Sequence, residues 1–135
     1  MAPSAKPGSG PNTAERRAMT PMSYEILLAL ADGPRHGYGI LKDIEARNGA
    51  GSVPSTGSLY LALQRLEQEG LIGGKAGHGL EGEARRRYYG LTERGRQAAE
   101  EETLRLAQLV GAAHERRLIG RRRLAKLVPG GGHGR

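Results

Sequence analysis

The sequence predicts a mainly α domain with a small two-stranded β-wing, followed by a long C-terminal helix. Three observations carry that expectation. Residues 55–72, STGSLYLALQRLEQEGLI, have the period of a short helix that stops at a glycine. Residues 85–95, RRRYYGLTERG, read as a basic strand running into another helix. Between them, Gly73, Gly74, Gly77, Gly79 and Gly82 make a loop that favours no regular element.

Taken in order, residues 1–21 hold Pro3, Pro7, Gly8, Gly10, Pro11 and Pro21 among small polar residues, and read as a disordered tail. The first helix is expected to start at Ser23 as N-cap, bury Tyr24, Leu27, Leu28 and Ala31, and stop at Gly33-Pro34. The second runs from His36 or Gly37 to Arg47, with Ile40, Leu41 and Ile44 inward, and ends at Asn48-Gly49. The third has Ser55 as N-cap, Gly70 as stop and Leu59, Leu63 and Leu66 as its buried stripe beside Ala62.

Leu71-Ile72 reads as a short strand, and Arg85 to Leu91 as its returning partner. In that strand Tyr89 and Leu91 share one face, Arg86 and Tyr88 the other. Thr92 can cap a helix reaching toward Val128, and residues 129–135 read as a flexible tail. Leu106, Leu109, Val110 and Ala113 make one apolar face of that helix; Leu104, Ala107, Gly111 and Leu118 lie roughly opposite. A helix apolar on two sides must be covered on two sides, and a second subunit is the natural cover for one of them.

This element order is that of a winged helix-turn-helix over residues 22–92, with a dimerisation helix over 93–128. Such a module lays its third helix in the major groove of DNA while the loop touches the backbone. The outward side of helix 3 carries Gly57, Leu61, Gln64 and Gln68, edged by Tyr60 and Arg65; Ser55, Thr56 and Ser58 crowd its first turn. Hydroxyls and free amides there suit a phosphate, Gln64 suits adenine and Leu61 a thymine methyl. Arg65 can equally pair with Glu69 at i+4. Lys75, Arg85, Arg86 and Arg87 form the basic wing, unless Glu81 and Glu83 neutralise it.

Charge is less informative in total than in place. Lys plus Arg number 21 against 14 Asp plus Glu, and of the net +7, residues 114–135 carry +6 while residues 22–74 carry −2. The absence of cysteine excludes disulfides and thiolate metal sites and fits a reducing cytoplasm. No apolar run approaches a membrane span and no N-terminal apolar run suggests a secretory signal. Gly77-x-Gly79-x-x-Gly82 matches the dinucleotide fingerprint by letter but leads into a strand, where that fingerprint must open a helix. His36, His78, His114 and His133 are not spaced for a metal, and no nucleophile–base constellation exists, so neither cofactor nor catalysis is expected.

These residues resemble the PadR family of bacterial transcriptional regulators, in the branch with a single C-terminal helix. The resemblance rests on ILLALADGPRHGYGILKDIE at 26–45, GSLYLALQRLEQEGLI at 57–72 and RRRYYGLTERGRQAAEEE at 85–102, and covers about residues 22–118. It implies a homodimer joined through the C-terminal helix and helix 1, where Tyr24 and Leu28 join Leu106, Leu109, Val110 and Ala113. It implies a repressor bound to a pseudo-palindromic operator in double-stranded DNA, working in the cytoplasm at the nucleoid. In it the helix-3 N-terminal turn, Tyr60, Tyr38 and the wing cations face DNA. Two positions depart from the family pattern: Leu61 stands where small or basic residues are common, and Gln64 where lysine is. Some relatives bind aromatic effectors by aromatic stacking, and this chain has no Trp or Phe for that role. An effector would thus be a small molecule of unidentified class. A winged helix used only for protein–protein contact is the alternative; the exposed Leu61 favours it and the arginine run opposes it.

Overall fold

A computed structural model describes residues 19–49, 53–76 and 87–128. The elements are α1 (Pro21–Ala29), β1 (Arg35–His36), α2 (Gly37–Asn48), α3 (Thr56–Gln68), β2 (Ile72–Ala76), β3 (Arg87–Leu91), α4 (Glu93–Glu115) and α5 (Arg121–Leu127). They group into two units, residues 1–99 and 100–135.

The first unit packs α1, α2 and α3 against the sheet. Ile26, Leu27, Leu30, Ile40, Ile44, Leu59, Leu63, Leu66 and Ile72 are sealed from solvent, with Tyr89 and Ala98 closing the cluster. Truncating one of the central leucines, such as Leu63, to Ala would cost about 2–5 kcal/mol.

Helix α1 begins earlier than expected. Its N-cap is Thr20, whose hydroxyl accepts the Ser23 N–H at 3.1 Å, and Pro21 takes the first turn. Proline suits that position because its φ is already helical and its missing N–H would have had no partner. Ser23, expected to cap, is buried inside the helix, and Met19 packs on the core, so residues 19–21 belong to the folded part rather than to the expected tail. Residues 1–18 lie outside the described residues. The buried face also differs: Ser23, Ile26, Leu27 and Leu30 point inward, Tyr24 is half-buried and Leu28 is exposed.

Helices α2 and α3 fall where the periodicity put them. Ser55 caps α3 by accepting the Ser58 N–H at 3.1 Å. Its stop is Gly70, at φ 79°, which lets the Leu71 N–H return to the Leu66 carbonyl at 3.0 Å. That left-handed step is cheap only for glycine.

The sheet has three strands in the order β1-β3-β2, all antiparallel, rather than the two expected. The added strand is Arg35–His36, opposite Tyr89 and Tyr88. β2 runs on to Ala76, so that Lys75 lies opposite Tyr88 and Ala76 opposite Arg87. The loop between them, residues 77–86, lies outside the described residues, and with it the glycine pattern, Glu81, Glu83, Arg85 and Arg86.

Thr92 opens α4 as its sequence position suggests. Its hydroxyl accepts the Gly95 N–H at 2.9 Å and reaches the Gly70 carbonyl at 2.7 Å. Gly95 is pressed so closely on the Leu71 carbonyl that any side chain would collide with backbone.

In the second unit the predicted helix to Val128 is broken. α4 ends at Glu115, Arg117 turns into left-handed backbone at φ 64°, and the Leu118 N–H closes on the Ala113 carbonyl at 2.8 Å. Gly120 then starts the separate α5. The break has the six-to-one hydrogen bond of a glycine-type helix stop, made here by an arginine. Residues 129–135 lie outside the described residues.

Candidate nucleic-acid interface

The first turn of α3 keeps Ser55, Thr56, Gly57 and Ser58 at the surface. The Ser55 and Ser58 hydroxyls are tied to each other at 3.0 Å. Further along the same helix Tyr60, Leu61, Gln64, Arg65 and Gln68 are exposed, Leu61 at 66%. The core leucines fix that orientation: with Leu59, Leu63 and Leu66 inward, these residues can only face out. Among the described residues no ion pair joins Arg65 to Glu69.

Helix α2 brings a second group to this side. The His36 Nδ1 accepts the Gly39 N–H at 3.1 Å, so the imidazole caps α2. Its ring stacks toward Tyr38 with centroids 6.4 Å apart and meets Tyr88 edge-on at 5.4 Å. Tyr38 is 58% exposed, and the Lys42 ammonium lies 5.7 Å from its ring centroid. The hydrogen bond from Lys42 to Glu45, 3.1 Å long, holds that ammonium's pKa above the usual lysine value. Gly37 joins the two groups. Its Cα lies against the Tyr60 phenol, and a Cβ there would overlap the phenol oxygen. Tyr38 of α2 and Tyr60 of α3 are therefore registered through a bare backbone contact.

The wing is only partly as expected. Strand alternation puts Arg87 on the same face as Tyr89, and so toward α3. Its Nη2 donates to Glu67 Oε2 at 2.6 Å and its guanidinium sits 5.7 Å from the Tyr89 ring centroid. The path crosses Gly74, where a side chain would collide with the guanidinium. Burial raises the Tyr89 phenol above its usual pKa, with Arg87 pulling the other way. Arg87 is thus a paired cation with Glu67 as its partner, while Glu81 and Glu83 lie outside the described residues. Lys75 is placed by register beside Tyr88; Arg85 and Arg86 lie outside the described residues.

Two acids of residues 22–74, Glu25 and Asp43, are engaged elsewhere. Glu25 takes Asn48 Nδ2 at 3.0 Å and Arg47 at 3.4 Å, and Asp43 takes Arg47 and, at 3.8 Å, Arg35. The Glu25–Arg47 pair ties α1 to α2, and the Asp43–Arg35 pair ties α2 to β1. His36 and Gly37 were read from sequence as a helix start, and none of His36, Gly37, Lys42 and Glu67 was singled out for this surface. Gly37 and His36 stand in the HGYG run and could have been; Glu67 could not, because its partner is twenty residues away. The residues expected at a subunit interface are distributed over both units: on α1, Tyr24 half-buried and Leu28 exposed; on α4, Leu106 and Ala113 half-buried, Leu109 54% and Val110 41% exposed. Among the described residues no group of His, Asp and Glu could hold a metal, and no helix is long and apolar enough to cross a membrane.

Comparison with known proteins bears on this surface. The sequence profile described as the transcriptional regulator PadR-like family matches residues 26–101. A PadR family transcription regulator from hypervirulent Clostridium difficile superposes with a TM-score of 0.63 at 26% identity, over 70% of this chain and 95% of that one. A transcriptional regulator from Clostridium thermocellum gives 0.61 at 28% identity, over 70% and 87%. Bacillus subtilis PadR, solved in complex with operator DNA, gives 0.52 at 25% identity, over 59% of this chain and 46% of that one. An uncharacterised 37.1 kDa protein in transposon TN4556 of Streptomyces fradiae is 43% identical over 90 residues, 67% of this chain; the match spans only 24% of that relative's length.

Proposed function

The chain belongs to the PadR-like family of transcriptional regulators, which are not enzymes, and from that premise we propose that it is a homodimeric repressor that reads a pseudo-palindromic operator. One observation carries the reading: the first turn of α3 and Tyr38 of α2 stand exposed on a surface locked by the Gly37–Tyr60 contact. Ser55, Thr56, Gly57 and Ser58 approach phosphates and base edges at the groove wall. Tyr60, Leu61 and Gln64 reach into the groove, Leu61 toward a thymine methyl and Gln64 toward an adenine. Tyr38, Lys75, Arg85, Arg86 and Arg87 hold the backbone and set register. The dimer forms through Leu106, Leu109, Val110 and Ala113 of α4, with Tyr24 and Leu28 of α1 contributing. A two-fold axis then presents two copies of α3 about one duplex turn apart. The protein works in the cytoplasm, on the nucleoid, without a cofactor.

The test is a binding titration on DNA from upstream of its own gene, with random duplex as competitor. Two α3 termini and two wings should make about 6–10 phosphate contacts, so affinity should fall by orders of magnitude from low to moderate salt. The upstream fragment should be retained over the competitor throughout. Equal affinity for both DNAs would leave the protein–protein alternative, which Leu61 favours.

A further inference from the structure

We propose that residues 116–126 form a second, sequence-independent contact with the DNA phosphate backbone. This rests on the chain being a DNA-binding protein and extends it to a surface outside the winged helix. Arg116, Arg117, Arg121, Arg122, Arg123 and Lys126 are all exposed, and no Asp or Glu lies between residues 116 and 128. Among the described residues none of the six is in an ion pair. This short segment supplies nearly all the net charge of the chain.

The cations are also arranged against the helix that carries them. Arg121, Arg122 and Arg123 fill the first turn of α5, which has no acidic residue and no side-chain cap. Positive side chains there oppose the helix dipole. Lys126 lies three and four residues after Arg123 and Arg122, where like charges repel. At about 100° per residue the four cations cover roughly 200° of the circumference, leaving Leu124 and Leu127 to the rest. A turn holds the segment in place: the Leu118 N–H closes on the Ala113 carbonyl at 2.8 Å, and His114 Nδ1 lies 3.0 Å from the Ile119 carbonyl. A positive arc with no internal counter-ion is stabilised by an external polyanion. Duplex DNA offers one charge per about 1.7 Å of axis, and the winged helix of the same chain brings it to high effective concentration. An anionic membrane is the poorer occupant. α5 has seven residues, with Leu124 and Leu127 its large apolar side chains, and the chain lacks Trp and Phe.

The experiment compares the full-length protein with the Arg121→Gln/Arg122→Gln/Arg123→Gln/Lys126→Gln variant. The probes are a long random duplex and a sequence selected by the wild type from a randomised pool. Affinity should drop roughly 10- to 100-fold on both probes, leaving their ratio unchanged, and the salt slope should become shallower by about 0.9 for each phosphate that the variant leaves unneutralised. A variant with lysine at the three arginine positions should bind like the wild type. Unchanged affinity and slope on the random duplex would overturn the proposal. So would tail-dependent binding to phosphatidylglycerol vesicles with DNA affinity intact, or a changed mass by light scattering with DNA affinity intact. Failure of the operator reading is a separate result: the pool yields no preferred sequence, while the weaker binding to random duplex is still seen.

Discussion

A methyl group at position 37 would have to share space with the Tyr60 phenol. Gly37→Ala should therefore destabilise the protein by about 1–3 kcal/mol, the usual range for overpacking. In a Tyr60→Ala background the same substitution should be nearly neutral, because the obstructing ring is gone. Thermal melts of the four proteins form a double-mutant cycle, and additive losses would show that the contact does not couple them. Glu67 offers a second test at this scale. It holds Arg87, and Glu67→Gln keeps the shape while releasing the charge. Exposed pairs contribute up to about 1 kcal/mol, so DNA affinity should rise by up to roughly fivefold. A fall in affinity would mean that Glu67 positions Arg87 for DNA instead of withholding it.

Among the elements, α4 carries the clearest expectation. Leu109 and Val110 stand exposed on it. If the proposed dimer forms through α4, each subunit of a Leu109→Asp/Val110→Asp variant would have to bury two carboxylates, so light scattering should report monomers, or circular dichroism an unfolded chain if no stable monomer exists. A folded dimer would move the interface elsewhere. The elements also show what the sequence made legible. α3 could be read through because its stripe, its Ser55 cap and its Gly70 stop agree with one another. α1 could not be oriented: Ile26, Leu27, Leu28 and Leu30 crowd its circumference, and a period without polar gaps has no direction. β1 is two residues long, shorter than any alternation can reveal. The end of α4 was hidden because Arg117 is a good helix former and carries no sign of its left-handed backbone. The exposed surface that the candidate site uses was legible where it sits on one element, as on α3. It was not where two elements meet, since only the strand register brings Arg87 to Glu67, and only helix packing brings Tyr60 to Gly37.

For the whole molecule, the charge is divided between two places with different physics. Among the described residues of the winged helix, Glu25, Asp43, Glu45 and Glu67 are each held in an ion pair. Residues 116–128 carry six cations and no acid, and among the described residues none of the six is in an ion pair. Arg117 links this to the backbone: among the described residues it alone holds positive φ without being glycine. Left-handed backbone costs an L-residue about 1 kcal/mol that glycine would not bear. Every arginine codon is a single base away from a glycine codon, so the more relaxed backbone is always one mutation from reach. In a saturation library scored separately for abundance and for DNA occupancy, Arg117→Gly should move the two scores apart, abundance up and occupancy down. If both rise, the charge at this position has no bearing on DNA. The turn at residue 117 is thus a place where mutation can trade fold stability against charge, one codon at a time.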